Sequence, residues 1–540
     1  MSAGTPADPA GPAALDGTDV ADGTEPPAPW QRLERRTVAV TAILLTGAAL
    51  LAAIPTSIAV AGATSLYTAL AWVVPAAVLL IAGGGFADYL RWRKTSYRIT
   101  PTHVEVHKGI LFTSRLRLAR DRIRTVDVTA HPVLRWFALV RLAIGTGEQG
   151  GGGAAASQTI VLNPVTRRSG EHLANELLDR LPADAATSGS ERLATWRAAW
   201  TRYAPLSVLT PILVGVVIGA GFQVADWFGR GELPVLIVRD LAGHFGWALV
   251  IAIGSVTLLV LAAGLAVAFY LELWWRYRLD REPGGMLRVR RGLLTTRSVS
   301  LQEGRIRGVN LIEPLGVRSV GAARVEAVAT GIGSEQDTQA EVSTLLPAAP
   351  RSLALQVLER VLGIPADDVP LAAHPAGART RRLRWAGILA AALAGCWLTL
   401  FALGLPAWLL ILTAAIFAPA VLAAPFVALD AAANLGHALT DELLASRHGS
   451  IRRSTVLLYR EGIIGWQLRQ SVFQRRLNLA SVVAVTAAGR GRYAVVDADT
   501  EQVRTLAEHT VADLLEPRAA TAPVAERTVG PPEAEGPTVH

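Results

Sequence analysis

Two histidines and a glutamate alternate along one short apolar segment, in the order His103-Val-Glu105-Val-His107. Alternate side chains of a β-strand lie on the same face, so these three groups would lie together. Imidazole and carboxylate are zinc ligands, but the same spacing is typical of the solvated face of an amphipathic strand. Zinc sites usually draw their ligands from more than one element. We therefore predict no metal and no other cofactor, with His103, Glu105 and His107 as the candidate ligands if a site exists.

A cluster of arginines follows this segment, and its members are Arg115, Arg117, Arg120, Arg122 and Arg124. Basic side chains beside an anionic membrane surface gain about 1 kcal/mol each. Positive charge also collects near membrane-spanning segments for reasons of topology alone. These arginines begin more than twenty residues beyond the nearest apolar segment, where topology explains them poorly. The cluster therefore predicts contact with membrane lipids, in particular anionic ones, or with a protein partner.

The motifs of several enzyme classes are missing from the sequence. Lys94 follows Arg93 and Lys108 follows His107, and these are the only lysines, so there is no Gly-Lys-Ser/Thr phosphate-binding loop. There is also no Gly-x-Ser-x-Gly nucleophile turn and no His-Glu-x-x-His metalloprotease helix. We predict that the chain is not an enzyme. Nucleic acid is not an expected partner, because basic surfaces beside a membrane face lipid first.

Six long apolar segments must position these residues, and each is free of Asp, Glu, Lys, Arg and His. The segments are Val38–Ala61, Leu66–Phe86, Leu206–Val224, Trp247–Leu271, Trp385–Leu405 and Ala407–Leu429. About 17–25 apolar residues suffice to cross the hydrocarbon core of a bilayer. The sequence therefore predicts six transmembrane helices, arranged as three hairpins.

The distribution of basic residues predicts the orientation of these helices. Fifteen Lys and Arg flank the ends proposed to lie inside, whereas the proposed outer loops carry only Arg230 and Arg239. Cytoplasmic loops carry the excess of Lys and Arg. We therefore expect a multi-pass protein of the cell membrane with both termini and all soluble segments in the cytoplasm.

A repeated unit of two apolar segments and one strand-rich segment occurs three times. The apolar pairs end at related sequences, Tyr97-Arg-Ile-Thr100, Tyr277-Arg-Leu-Asp280 and the more divergent His437-Ala-Leu-Thr440. Short alternating strands follow, with Gly109, Gly292 and Gly449 as turn signals. An amphipathic helix closes each repeat, at Ser169–Leu181, Leu353–Leu362 and Thr500–Leu515. Internal repeats of this kind decide the architecture.

The order of these motifs resembles that of the bacterial pleckstrin-homology-like family, the YdbS-like and YdbT-like membrane proteins. The first repeat carries the resemblance most fully, through Tyr97-Arg-Ile-Thr100, Gly109 and Ile123-Arg-Thr-Val126. The second repeat has an interrupted opening hairpin at 281–285, and the third replaces the opening tetrad. The resemblance implies three PH-like β domains, each made of two roughly orthogonal sheets and a C-terminal helix. It does not imply a ligand.

The resulting fold class is an α-helical membrane protein with three cytoplasmic PH-like domains. The predicted boundaries are 1–29 for a disordered tail, 30–94, 190–275 and 379–430 for the transmembrane hairpins, 95–183, 276–364 and 434–515 for the PH-like domains, and 516–540 for a second disordered tail.

Three functions remain open at this point. The first is a non-catalytic membrane scaffold, with envelope maintenance as a role its topology allows, whose cytoplasmic domains bind a lipid headgroup, a peptide or a protein. The second is a component of a transporter or channel, although uncharged spans argue against coupled transport. The third is a membrane enzyme, for which no nucleophile–base pair is found. Small residues at helix-packing spacing also allow an oligomer through Gly215 and Gly219, or through Gly387, Ala391 and Gly395.

Overall fold

The computed structural model describes residues 29–100, 102–109, 113–120, 123, 125–145, 159–170, 173, 190–330, 343–365 and 369–506. The two predicted tails lie outside these residues, apart from residue 29. Arg122 and Arg124 also lie outside them, as do most of the closing helix predicted for the first repeat and residues 507–515 of the third.

Eleven α-helices lie wholly within the described residues, and six of them are long and apolar enough to cross a membrane. In chain order they are α1 Arg36–Ala63, α2 Leu66–Lys94, α3 Pro132–Trp136, α4 Leu209–Trp227, α5 Leu233–Phe245, α6 Trp247–Trp274, α7 Leu315–Ser319, α8 Arg351–Leu362, α9 Ala376–Ala402, α10 Ala407–Ala433 and α11 Val472–Arg475. Residues 167–170 and 500–506 are also helical. The six candidate spans are α1, α2, α4, α6, α9 and α10, and α1 packs on α2, α4 on α6, and α9 on α10. The six predicted helices are thus confirmed.

Four helices were not predicted, namely α5 and the short helices α3, α7 and α11. Helix α5 lies between the spans α4 and α6 and packs on both, with Pro234 in its first turn. Proline is favoured there because its missing N–H would have no partner within the helix. The sequence analysis treated this segment as an outer loop, because its 13 residues are too few to cross a bilayer.

The described residues also contain twenty β-strands. They are β1 Gln31–Arg32, β2 Ser96–Ile99, β3 His103–Lys108, β4 Ser114–Ala119, β5 Thr125–Ala130, β6 Leu139–Gly145, β7 Thr159–Thr166, β8 Glu191–Thr195, β9 Arg278–Glu282, β10 Met286–Arg291, β11 Thr296–Gln302, β12 Ile306–Pro314, β13 Ala322–Ala329, β14 Thr344–Pro350, β15 Gly436–Leu439, β16 Leu443–His448, β17 Arg452–Tyr459, β18 Ile463–Arg469, β19 Leu479–Thr486 and β20 Arg492–Asp499.

The same order of strands occurs three times along the chain. We call these repeats the first (β2–β7), second (β9–β14) and third (β15–β20) β units. Each unit has three strands, a fourth strand, a short helix (α3, α7 or α11) and two further strands. The residue that ends each short-helix turn has a left-handed backbone, with φ of 54° at Ala138, 69° at Gly321 and 54° at Asn478. Since these positions match without gaps from the preceding strands, the three units can be compared residue by residue.

The β units share their sheets. The sheet order β7-β6-β5-β11-β10-β9-β8 joins the last three strands of the first unit to the first three strands of the second. The order β14-β13-β12-β17-β16-β15 joins the second unit to the third in the same way. We call the β5–β11 pairing the first junction and the β12–β17 pairing the second junction. The chain therefore forms a head-to-tail array of β units, not three separate sandwiches.

A residue that precedes each pair of membrane helices pairs with the first strand of the β unit that follows those helices. Gln31 in β1, Ala194 in β8 and the isolated bridge residue Ala372 pair with Tyr97, Leu279 and His437. In the register of each opening hairpin these partners lie opposite Val106, Val289 and Ser446, each three residues before the hairpin glycine. The predicted boundary at residue 190 assigned β8 to the membrane hairpin, whereas β8 extends the sheet of the second unit, because its backbone pairs with β9.

The small-residue faces of the spans are open within the chain. A Cβ atom built on Gly215, Gly219, Gly387 or Gly395 meets nothing within 4 Å. Contact between copies through these faces stays a prediction.

Candidate functional site

The candidate metal ligands and the arginines Arg115 and Arg117 of the first unit lie on one face of its first sheet. The β3–β4 register sets Glu105 opposite Arg117 and His107 opposite Arg115. Arg98 donates to Glu105 at 2.6 Å, and the Nε atom of Arg117 lies 3.3 Å from the same carboxylate. The hydrogen bond from Arg98 lowers the pKa of Glu105 below its usual value, although partial burial opposes it. The carboxylate is thus already held by two guanidinium groups.

The histidines of this face are also placed by neighbours. The ring of Trp30 lies 4.2 Å from that of His107, and the guanidinium of Arg98 lies over the Trp30 ring at 4.7 Å. His103 contacts the Thr102 hydroxyl at 2.9 Å. Across the described ranges, no three His, Cys, Asp or Glu side chains come together as metal ligands. Of the arginine cluster, Arg115 and Arg117 are exposed on β4, and Arg120 follows that strand.

A more enclosed site lies at the second junction, where the sequence analysis named no residue. It is a cavity of about 280 Å³ between the second and third units. We call it the arginine cavity. Its polar lining is Glu313, Arg351, Arg447, Arg453 and Thr455, and its apolar lining is Leu311, Leu355, Leu358, Val369, Leu371, Ala445 and Leu457.

A buried glutamate organises the cavity. Glu313 is the penultimate residue of β12, and 1% of its surface is exposed. Arg453 of the third unit binds it with two nitrogens, at 2.8 and 2.7 Å, and Arg351 donates to it at 3.2 Å. Glu313 and Arg453 lie directly opposite each other in the β12–β17 register, so the ion pair spans the junction. Buried charges of this kind require paired and hydrogen-bonded partners.

The third arginine of the cavity has no carboxylate partner. Arg447 uses its Nε atom to donate to the Asn434 carbonyl at 3.2 Å, and within the described chain its terminal nitrogens make no hydrogen bond. Burial and the positive charges of Arg453 and Arg351 lower the pKa of Arg447, while Glu313 opposes the change. The cavity thus carries three guanidinium groups against one carboxylate, so its lining has a net positive charge.

The cavity lies at the end of a membrane span. Asn434 caps the C-terminus of α10, and its side-chain oxygen accepts from Arg453 at 3.2 Å. Arg447 and Arg453 are therefore both held by the residue that follows the last residue of α10. Sequence reasoning missed this site because its charged members come from four elements between residues 313 and 453. The usable signal was a glutamate ending the apolar segment Val309-Asn-Leu-Ile-Glu313.

A second buried cluster ties the third unit to α9. The Asp497 carboxylate is fully buried, and Arg381, Arg382 and Gln474 each donate to it at 2.8 Å. The Asp497 carbonyl contacts His374 Nδ1 at 3.0 Å, and the second ring nitrogen of His374 lies 3.0 Å from His437 Nδ1. This cluster fixes the base of a membrane helix to β20.

This histidine pair predicts a loss of stability in acid. Burial, and then the neighbouring His374, lower the pKa of His437 to about 4, and burial lowers that of His374. An unfolded histidine titrates near 6.5, so between about 6.5 and 4 the unfolded chain binds more protons. Stability is therefore present above pH 6.5 and is lost as the pH falls toward 4. Thermal unfolding of the full chain in detergent at several pH values measures this.

Variants identify the source of the acid effect. His437→Gln should flatten the decline between pH 6.5 and 4, whereas the exposed His244→Gln should leave it unchanged. An equal decline in wild type and His437→Gln would show that this pair does not cause it.

Comparison with known proteins agrees with this architecture. Paired apolar helices, each pair followed by a small β unit, define a multi-pass membrane protein with repeated β domains. The family model described as Bacterial PH domain matches residues 39–181 and 386–513, together half of the chain. The chain belongs to this family. The matched stretches hold the first and third units with most of the helices before them, so the third repeat is matched despite its altered opening tetrad.

One curated relative is similar over part of its length. The UPF0699 transmembrane protein YdbT of Bacillus subtilis (strain 168) is 23% identical over 304 residues, which cover 53% of this chain and 57% of the relative. The match therefore spans little more than half of that protein. No solved structure matches the chain.

Proposed function

We propose that this chain is a non-catalytic scaffold of the cell membrane whose three β units are PH-like domains on the cytoplasmic face, and that the arginine cavity binds the phosphate of an anionic lipid headgroup. The fifteen-to-two distribution of basic residues supports the cytoplasmic placement. An even number of candidate spans separates successive units, so all three lie on one side.

The observation that carries the lipid proposal is the position of Arg447. Its terminal nitrogens face a cavity with two more guanidinium groups, at the end of a membrane span. Planar guanidinium groups suit phosphate because they can donate two parallel hydrogen bonds. The phosphate would offset the repulsion between Arg447, Arg351 and Arg453. Leucine side chains on the other wall would contact the glycerol and upper acyl chain.

The basic face of the first unit extends the same function. Arg115, Arg117 and Arg120, with Arg122 and Arg124 in the adjoining sequence, add positive charge that an anionic leaflet attracts. Arg117 also pairs with Glu105, so part of its charge is already compensated. We therefore assign specific headgroup contact to the cavity and general membrane attraction to this face.

Lipid retention tests the proposal. The full chain, purified in detergent from membranes that contain phosphatidylglycerol, should retain this lipid in native mass spectrometry. Arg447→Gln removes one charge-assisted contact worth about 1.5–3 kcal/mol, so retention should fall about tenfold or more. A phosphatidylcholine of the same chain length should be retained weakly by both proteins.

Arg452→Gln is the matched control, because Arg452 is on the same sheet but its guanidinium pairs with Glu326 at 3.7 Å, outside the cavity. Its retention should equal that of wild type. Equal retention by wild type and Arg447→Gln would contradict the lipid proposal. Replacement of the lipid by inorganic phosphate at equal affinity would identify free phosphate as the ligand.

A further inference from the structure

The array of β units ends in two unpaired strand edges. At one end, β4 of the first unit pairs only with β3, and at the other, β18 of the third unit pairs only with β19, within the described residues. In the interior of the array, the strand equivalent to β4 always pairs with the strand equivalent to β18 of the preceding unit. These pairings are the first and second junctions. The two ends of the chain therefore carry the complementary halves of one junction.

The two junctions use the same register. In the first junction Ser298 lies opposite Val128, and in the second Thr455 lies opposite Leu311. Ser298 and Thr455 are each six residues beyond the hairpin glycine of their unit. Val128 and Leu311 likewise share one position. The other pairs of the first junction recur in the second at matching positions, so the junction is a repeated contact with a fixed geometry.

We propose that β4 of one copy of this chain pairs with β18 of a second copy in the register of the two junctions. In that register Arg115 lies opposite Leu468, and Arg117 lies opposite Trp466. The guanidinium of Arg117 can then contact the indole face, a favourable cation–π pairing. The partner is a second copy, because this chain itself carries both halves of the contact. The inference does not depend on the arginine cavity.

Exposure of β18 supports the pairing. Leu468 is 65% exposed, whereas Leu311, at the same position of the second unit, is 3% exposed. Leu311 lies between α8 of its own unit and strands β16 and β17 of the third. Ile464 on β18 is also exposed. A sheet edge with unpaired backbone groups and exposed apolar side chains is a template for another strand, and soluble proteins usually protect such edges. A second copy would cover this edge as the third unit covers β12.

A polar pair repeats at the junctions. In the first junction Arg297 donates to Asp127 at 2.7 Å, diagonally across the two strands. In the second, residues at the same two positions form a hydrogen bond between Ser454 and Asn310, at 2.6 Å. At the free edges these positions hold Ser114 and Gln467. A hydroxyl and an amide can form the same diagonal hydrogen bond between two copies.

The membrane limits the shape of the assembly. Contact between unlike surfaces is heterologous and continues from copy to copy until it closes. Since every β unit follows a pair of membrane helices, the copies lie in one plane and rotate about the membrane normal. The array is therefore expected to close into a ring.

Cysteine pairs test the register in the full chain. Two differently tagged copies, both carrying Cys396→Ala, are expressed together; one carries Arg115→Cys and the other Leu468→Cys. A second experiment uses Leu116→Cys with Gln467→Cys, because adjacent pairs of an antiparallel ladder alternate between wide and narrow spacing. In at least one of the two experiments, oxidation in membranes should give a band of twice the chain mass. That band should contain both tags.

The control combines Arg115→Cys with Gln467→Cys, whose side chains would point to opposite faces of the sheet, so its band should be absent. Adding Gly465→Pro, which interrupts the β18 edge, should remove the cross-link of the positive pair while leaving the tagged chain in the membrane. Absence of the double-mass band in both in-register experiments would overturn the proposal. Equal cross-linking in the control, or cross-linking only within one chain, would also overturn it.

Discussion

Replacing Asp497 with alanine is expected to lower the free energy of unfolding of the third β unit by about 3–5 kcal/mol. The substitution leaves Arg381 and Arg382 beside a buried space without their shared carboxylate. Removing one partner of a buried ion pair is costly because the other charges stay desolvated. Asp497 also has φ of 57°, a left-handed conformation that alanine adopts less readily than aspartate or asparagine. The midpoint of thermal unfolding, followed by tryptophan fluorescence, measures the loss.

Two further variants separate charge from backbone. Asp497→Asn keeps a side chain that tolerates the left-handed backbone, so its loss should come from charge and be somewhat smaller. Asp441→Ala removes an exposed carboxylate and should change stability by less than about 0.5 kcal/mol. Unfolding of Asp497→Ala at the wild-type midpoint would contradict the role of the cluster.

Replacing Glu313 with alanine is expected to open the second junction. Arg453 and Arg351 lose their common carboxylate, and with Arg447 they leave three positive groups around one cavity. We expect a cost of about 3–5 kcal/mol, concentrated where Glu313 lies opposite Arg453. Hydrogen exchange of the β12 and β17 backbone amides should become faster.

The first junction is an internal control for this variant. The backbone amides of β5 and β11 should keep their wild-type hydrogen-exchange rates, because Glu313 does not contact either strand. Added phosphate should partly restore protection of β12 and β17 by supplying the missing negative charge. Unchanged exchange in β12 and β17, or equal acceleration at both junctions, would show that the glutamate does not hold this junction.

The membrane helices were predictable because their cause is local in the sequence. Each span is an uninterrupted apolar stretch of the required length, and helical structure satisfies its backbone within the stretch. The structure extends α2 to Lys94, beyond the predicted end at Phe86, because helical pairing continues through charged residues outside the apolar segment. Asp88 in this extension accepts a hydrogen bond from Thr41 at 2.8 Å.

The strands within each unit were also predictable, but their pairing between units was not. Pairing between sheet edges uses backbone hydrogen bonds, which leave no side-chain motif. One signal was present in β12, where Val309 and Leu311 on one face of the strand and Ile312 on the other are apolar. Strands covered on both faces read as continuous apolar segments, whereas a strand with one solvated face alternates.

Some features of the candidate sites could likewise be predicted from the sequence, and others could not. Arg115 and Arg117 share a face of β4, which could be read from the sequence because alternation along a strand is a local property. The arginine cavity could not be predicted, since Glu313, Arg351 and Arg453 meet only once the second and third units share a sheet. Asp497 gave no signal either, because an aspartate near a strand end is ordinarily a solvated turn residue.

Thiol accessibility tests the central claim, that all three β units face the cytoplasm. In a Cys396→Ala chain, single cysteines replace Arg230 between α4 and α5, Ser114 in the first unit and Asp441 in the third, all three exposed. An impermeant thiol reagent should label Arg230→Cys in intact bacterial cells, and Ser114→Cys and Asp441→Cys only after the membrane is broken. Labelling of Ser114→Cys or Asp441→Cys in intact cells would contradict the proposed orientation and, with it, the scaffold function.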